Sequence, residues 1–275
     1  MPELPEVETM VRDLSPRLTG RRVTAVEAPF TGSVRYPDYP ELVDRLVGQE
    51  ITGVSRRGKY AIFSLASGDA LILHRGMTGS VLARERSDPM EQWVRILFRL
   101  DDGTELRFQD SRKFGKVFLM EENGAERPLP WNRMGPEPLD SDFSEDALQR
   151  RLEGRTALIK PLLLNQEIVA GLGNIYADEA LFLAAIHPER RANTLTAEEM
   201  TRLYRAIRTV LRNAVEGRGT TFSAYKDIEG RAGSYQGSLQ VFHRTGEPCP
   251  RCGTAIMRTV VGGRGTHFCP TCQPR

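Results

Sequence analysis

Val94-Arg-Ile-Leu-Phe-Arg-Leu100, the turn Asp101-Asp102-Gly103 and Glu105-Leu-Arg-Phe108 decide how the first half of this chain folds. Two apolar, branched and aromatic runs separated by an Asp/Gly turn read as two β-strands. The same grammar repeats on either side, in Val23-Thr-Ala-Val-Glu27, Ile51-Thr-Gly-Val-Ser55, Tyr60-Ala-Ile-Phe-Ser-Leu65, Ala70-Leu-Ile-Leu73, Ser80-Val-Leu-Ala83 and Lys116-Val-Phe-Leu-Met120. Many short strands with regular turns favour a sandwich or barrel. The span from Arg22 to Met120 therefore reads as β, preceded by one helix over residues 5–19 with Val7, Met10, Val11, Leu14 and Leu18 on a single face.

After a Pro- and Gly-rich stretch the pattern changes once. The spacing predicts a short helix from Ser144 to Leu152, another from Ile159 to Gln166, and a third from Ile175 to Ala185. Thr196-Ala-Glu-Glu199 is a capping box that opens a long amphipathic helix. Its Arg202, Arg205, Arg208 and Arg212 read as a solvated face. Gly171-Leu-Gly-Asn174 stands between two helices, where backbone amides suit a phosphate and Asn174 equally suits an N-cap. Gly217–Ser238 carries five glycines with Tyr225 and Tyr235. A loop that long in a compact domain is more often a lid or binding loop than filler.

The end of the chain carries Cys249-Pro-Arg-Cys252 and, sixteen residues on, Cys269-Pro-Thr-Cys272. Paired CxxC knuckles at this spacing predict a four-thiolate zinc site, which would staple a segment too small for its own core. Disulfides are the alternative, disfavoured by the knuckle spacing and the lack of a secretion signal. Arg264 lies on a strand-like stretch between the knuckles.

With 275 residues, 40% hydrophobic and 27% charged, the chain suits a globular protein of about two domains, and no apolar run approaches a membrane span. The net charge of +2 hides an asymmetry: residues 1–154 hold 22 Lys and Arg against 26 Asp and Glu, residues 155–275 hold 16 against 10. The second part has the sign expected for a polyanion partner. Positive charge is written as 33 Arg and five Lys: Lys59, Lys113, Lys116, Lys160 and Lys226. Scarce lysines mark places where a compact, deprotonatable ammonium matters, and Lys59 after Arg56-Arg57-Gly58 is the clearest.

Met1-Pro-Glu-Leu-Pro-Glu-Val-Glu8 crowds three carboxylates behind a proline small enough for the initiator Met to be removed. The new terminus would be a secondary amine, and α-amines titrate at about 7.7–8.0. Desolvation lowers such a value and leaves a neutral nucleophile, with Glu3 beside it to move a proton. A plain helix start, with Pro5 in the first turn and Glu6 and Glu8 complementing the dipole, explains the same residues.

In order along the chain, Pro2-Glu-Leu-Pro-Glu-Val-Glu8, Gly58-Lys59-Tyr60, His74-Arg-Gly-Met-Thr-Gly79, Asp110-Ser-Arg-Lys-Phe-Gly115, Gly135-Pro-Glu-Pro-Leu139, Gly171-Leu-Gly-Asn-Ile-Tyr-Ala177 and the four-cysteine finger resemble the bacterial formamidopyrimidine-DNA glycosylases over essentially the full length. The resemblance implies an α+β multidomain fold. Residues 1–130 would form a catalytic β-sandwich with an N-terminal helix, 131–143 a linker, 144–238 a helix-two-turn-helix domain with a lesion-recognition loop at 217–238, and 239–275 a β-hairpin zinc finger. It also implies a base-excision repair enzyme, a glycosylase and abasic-site lyase acting on oxidised purines in duplex DNA held between the domains.

By that resemblance Pro2 is the nucleophile that forms a Schiff base, and Glu3 its acid/base partner. Glu6 supports the flipped nucleotide. Lys59, Asn174 and Arg264 grip phosphates, His74 and His243 contact phosphate as well, and Lys160 acts close to the lesion. Met77, Arg112 and Phe114 fill the gap left by the extruded base. Cys249, Cys252, Cys269 and Cys272 hold one structural zinc. The enzyme would be a cytoplasmic, nucleoid-acting monomer without membrane contact. Three positions depart from the usual wording: Phe242 for Tyr, Arg75 for Leu and Ser111 for Pro. The rival readings are an endonuclease VIII-like glycosylase for oxidised pyrimidines and a non-catalytic zinc-dependent DNA-binding protein.

Overall fold

The computed structural model describes residues 2–124, 129–222 and 227–275. The contacts divide the chain into two compact units, Met1–Asn132 with Gly217–Ser234, and Arg133–Glu216 with Tyr235–Arg275. The loop expected inside the helical domain thus clusters, over Gly217–Ser234, with the β-rich unit. Met1, Tyr225 and Lys226 lie outside the described residues.

The first unit begins with α1 (Leu4–Leu18), whose Leu4, Val7, Met10, Leu14 and Leu18 are buried to within 1%. Its strands are β1 (Val23–Glu27), β2 (Val34–Tyr36), β3 (Ile51–Arg57), β4 (Tyr60–Leu65), β5 (Asp69–His74), β6 (Ser80–Glu85), β7 (Val94–Leu100), β8 (Thr104–Gln109) and β9 (Lys116–Glu121). They form a four-stranded sheet ordered β1-β7-β8-β6 and a five-stranded sheet ordered β2-β9-β5-β4-β3. The opening hairpin pairs Phe98 with Leu106, and Gly103 closes its turn at φ 88°, where a side chain would be strained. One core takes Ile96, Phe98 and Leu106 from the first sheet, Phe63, Leu71 and Leu119 from the second, and the buried face of α1. The other face of the five-stranded sheet is covered as well, Ile62, Ala70, Ile72 and Met120 packing with Tyr60 and Trp131. Burial on both faces is why β4 and β5 read as continuous apolar runs.

One helix interrupts the span read as purely β. α2 (Tyr39–Leu46) is capped by Asp38, whose carboxylate accepts from Glu41 N–H at 3.0 Å, and it buries only Leu42 and Leu46. So short a helix leaves too brief a periodic signal to stand out among strands.

The second unit contains α3 (Glu145–Leu152), α4 (Ile159–Leu164), α5 (Asn174–Leu183), α6 (Ala197–Glu216) and the hairpin β10 (Met257–Val261) with β11 (Arg264–Phe268). Helix α4 stops two residues short of Gln166, whose side chain instead bonds Leu164 O, Leu172 O and Gly171 N–H. The capping box at Thr196 forms in both directions, at 2.9 and 3.2 Å. The arginine row is less solvated than expected, since Arg202 donates to Ala184 O and Arg208 to Asp140 O and Phe143 O. Helix α5 is buried almost throughout and packs on α4, α6 and β11. Among the described residues no helix is long and apolar enough to cross a membrane.

Candidate active site and nucleic-acid interface

Pro2 and Glu3 are both buried, Glu3 at 2% exposure, and Glu3 is the N-cap of α1. The helix-start reading and the catalytic reading therefore describe the same atoms: the helix fixes the pair in place. Glu6, 1% exposed, accepts from Glu3 N–H at 2.7 Å and from Thr220 N–H at 2.8 Å. Its carboxylate joins the N-terminal Pro2-Glu3 pair to the Gly217–Ser234 loop. Gly219 is required there, because a Cβ would stand 2.8 Å from Glu6 Oε1 at a φ of 79°.

Lys59 follows Gly58 in the tight turn between β3 and β4, where Arg57 pairs with Tyr60, and is 8% exposed. Its charge and that of Lys116 add to burial, the larger cause, in pushing the His74 imidazole down to about 4. The His74 ring lies 4.8 Å from that of Tyr60, and its Nδ1 accepts from Gly76 N–H at 3.2 Å. His74, expected at a phosphate, is thus neutral at pH 7 and offers no cationic grip.

The turn after β5 and the loop before β9 bring three of the expected residues together. Met77 and Phe114 are 38% and 47% exposed. The Arg112 guanidinium lies 4.8 Å from the Phe114 ring centroid, and its Nη1 is 3.5 Å from Met77 Sδ. Asp110, fully buried, holds both segments: it accepts from Thr78 Oγ1 at 2.5 Å, Arg112 N–H at 3.2 Å and Gly115 N–H at 2.7 Å. Gly76 lies so close to Phe114 that a Cβ would meet its carbonyl carbon at 2.6 Å.

In the second unit the residues expected at phosphates meet at the β10–β11 hairpin. Gly262 and Gly263, at φ 56° and 74°, make its two-residue turn and leave Arg264 exposed at the start of β11. Asn174 is the first helical residue of α5, the N-cap being Gly173, and its Nδ2 donates to Gly265 O at 3.0 Å. Lys160 requires a correction. Its side chain has no exposure, and Nζ lies 2.6 Å from Asp178 Oδ1 while donating to Gly265 O and Thr266 Oγ1. An ammonium so enclosed does not reach a ligand directly. It pins the hairpin that presents Arg264.

A groove of about 350 Å³ opens beside the hairpin, lined by Asn174, Phe242, His243, Thr245, Arg258, Gly265 and His267. Phe242 N–H is held by Glu179, and its ring packs edge-on against His267 at 4.9 Å. Burial, with the nearby His267 and Arg258, lowers the His243 imidazole, which stands in the left-handed region at φ 61°. His187 packs on Phe268 at 4.6 Å, a structural place.

The four cysteine sulfurs lie within 4.8 Å of one another, with Cys249 and Cys272 at 3.9 Å and Cys252 and Cys269 at 3.5 Å. A Zn–S bond of about 2.3 Å puts tetrahedral sulfurs about 3.8 Å apart, so the set fits zinc with no position left open. These thiolates bind one structural zinc, and the hairpin carrying Arg264 springs from between the two knuckles.

Sequence reasoning misses three residues that organise these sites, Asp110, Asp178 and Thr220, and it gives buried Arg75 no task. Asp110 and Arg75 lie inside quoted motifs, yet only the fold shows what their side chains reach. Asp178 sits four residues after Asn174 on a helix whose spacing alone would not pair it with Lys160.

Residues 1–117 match the formamidopyrimidine-DNA glycosylase N-terminal domain, 134–225 its H2TH domain, and 246–275 the zinc finger found in FPG and IleRS. A formamidopyrimidine-DNA glycosylase of Symbiobacterium thermophilum is 49% identical over 100% of this chain and 90% of its own length. The Lactococcus lactis FPG mutant T221P, solved in complex with a Fapy-dG containing DNA, superposes with a TM-score of 0.93 at 39% identity, over 100% of both chains. The Lactococcus lactis Fpg solved with an abasic site containing DNA gives a TM-score of 0.92 at 38% identity, over 99% of this chain and 100% of that one. Sheets, capped helices, finger and matches agree along the whole length: the chain belongs to the formamidopyrimidine-DNA glycosylase family.

Proposed function

We propose that this chain is a bifunctional DNA glycosylase and abasic-site lyase that removes oxidised purines, 8-oxoguanine and formamidopyrimidines, from duplex DNA. The observation that carries the reading is the coexistence on one unit of a buried Pro2-Glu3 pair and the exposed Met77–Arg112–Phe114 trio. The first suits chemistry in a dry site and the second suits an opened base stack.

Once Met1 is removed, the Pro2 nitrogen lone pair forms a bond to sugar carbon 1 as the glycosidic bond breaks, and the base leaves with a proton. The Pro2 nitrogen then loses its proton, Glu3 gives a proton to the ring oxygen, and the bond from carbon 1 to that oxygen breaks, so that the sugar opens as the C=N bond forms. The resulting iminium acidifies the adjacent sugar carbon. Loss of its proton expels the 3′ phosphate, and a second elimination expels the 5′ phosphate. Lys59, on its tight turn, supplies a compact charge for the phosphate beside the reacting sugar. Arg264 and Asn174 offer phosphate contacts from the second unit, and Arg112 hydrogen-bonds the base left without a partner. Zinc keeps the hairpin in shape and takes no part in bond making. The chain would act as a monomer on nucleoid DNA in the cytoplasm.

The test is strand nicking of a duplex with a single 8-oxoguanine, run with borohydride to trap the iminium. Mass spectrometry should place the adduct on Pro2. An adduct on Lys59 with Pro2 unmodified overturns the assignment, and DNA binding without nicking overturns the enzyme.

A further inference from the structure

Arg75 is 1% exposed, two residues from the exposed Met77. A guanidinium at that depth is costly unless its donors are occupied. Nε donates to Gly79 O at 2.8 Å, Nη1 to Glu6 O at 3.3 Å, and Nη2 lies 3.5 Å from Ser80 Oγ. Gly79 N–H in turn donates to Arg75 O at 2.9 Å, and a Cβ at Gly79 would stand 2.2 Å from that oxygen. The turn 75–79 is therefore closed on itself, and the guanidinium ties it to the first turn of α1. The residue it reaches is the one whose carboxylate holds Glu3 N–H and Thr220 N–H. Turn, catalytic end and loop converge on Glu6.

The geometry points to Arg75 as a positioning residue that couples insertion of the Met77 wedge to the placement of Glu3 at the reacting sugar. The inference rests on the glycosylase reading and deepens it. When Met77 enters the stack the load on its turn passes through a planar, multidentate group to the backbone of Glu6. An apolar side chain of similar volume would fill the same space without transmitting it.

The experiment compares single-turnover base excision from an 8-oxoguanine duplex with strand cleavage at a preformed abasic site, where no damaged base has to be extruded. Arg75→Met should lower the ratio of the two rates at least tenfold against wild type. In a Met77→Ala background the same substitution should lower it no further, because both changes break one linkage. Arg75→Lys, which keeps charge and one donor, should fall between wild type and Arg75→Met and serves as the measured variant if the latter does not fold. An unchanged ratio, equal losses on both substrates, or effects that add with Met77→Ala overturn the proposal. Wild-type protein that cleaves neither duplex would instead overturn the glycosylase reading.

Discussion

Lys160 Nζ lies 2.6 Å from Asp178 Oδ1, and neither side chain has any exposure. The same carboxylate accepts from His267 N–H at 2.8 Å, so one aspartate on α5 holds α4 and β11 together. Breaking a buried pair from one side leaves an uncompensated charge, at a cost of roughly 3–5 kcal/mol. Asp178→Asn should therefore lower the melting temperature strongly, and Lys160→Met combined with Asp178→Leu should recover much of the loss. Denaturant melts of the two variants decide this. A single variant as stable as wild type would show that the pair carries little.

His74 makes stability depend on pH. Its folded value of about 4 lies below the ordinary 6.5, burial being the main cause and Lys116 and Lys59 adding to it. Above pH 6.5 the ring is neutral in both states and the contribution is complete. It is lost as pH falls from 6.5 towards 4, by roughly 3–4 kcal/mol at the limit. The stability difference between wild type and His74→Gln should shrink over that window in urea titrations at successive pH values. A difference constant with pH would remove His74 from the account.

A blocked terminus should separate chemistry from binding. With Met1 retained or a tag fused ahead of Pro2, the Pro2 nitrogen is an amide whose lone pair is delocalised. Such protein should fold, bind zinc and bind lesion DNA, yet give neither excision nor a trapped adduct. Glu3→Gln should likewise bind while excising at a small fraction of the normal rate. Normal excision by the blocked form would make Lys59 the leading nucleophile.

Lys59→Arg keeps the charge but replaces a compact ammonium with a larger planar group in a tight, buried turn. Binding should survive and single-turnover excision should fall by an order of magnitude or more. Wild-type kinetics would reduce Lys59 to simple electrostatics.

Arg264→Ala should reduce the salt slope of DNA binding by about one, as for one lost phosphate contact. Chelation of zinc should weaken binding further, because the metal-free thiols no longer tie the two knuckles together and the hairpin loses its staple. Full affinity in metal-free protein would make the finger dispensable.

The β-rich half was legible because Phe98, Leu106 and their neighbours obey local periodicity. The same holds for α1 and for the Thr196 capping box, where two side chains three residues apart close on each other. The cysteine knuckles were legible for a chemical reason, since four sulfurs at such spacings suit one ion. What the sequence hid depends on long-range geometry. The burial of Lys160 follows from Asp178 meeting it across two helices, and the bond from Thr220 to Glu6 spans more than two hundred residues. The position of a residue in a motif says what type is needed; it does not say whether the group faces a ligand or another residue. Lys160 is the case where that difference matters.

Asp110 has a consequence for anyone transplanting loops between relatives. Because one carboxylate fastens Thr78 on the first segment and the amides of Arg112 and Gly115 on the second, the two segments form a single exchangeable cassette. A chimaera that imports residues 110–115 without 74–79 would seat a foreign loop on a mismatched anchor. The two segments have to be moved as a pair.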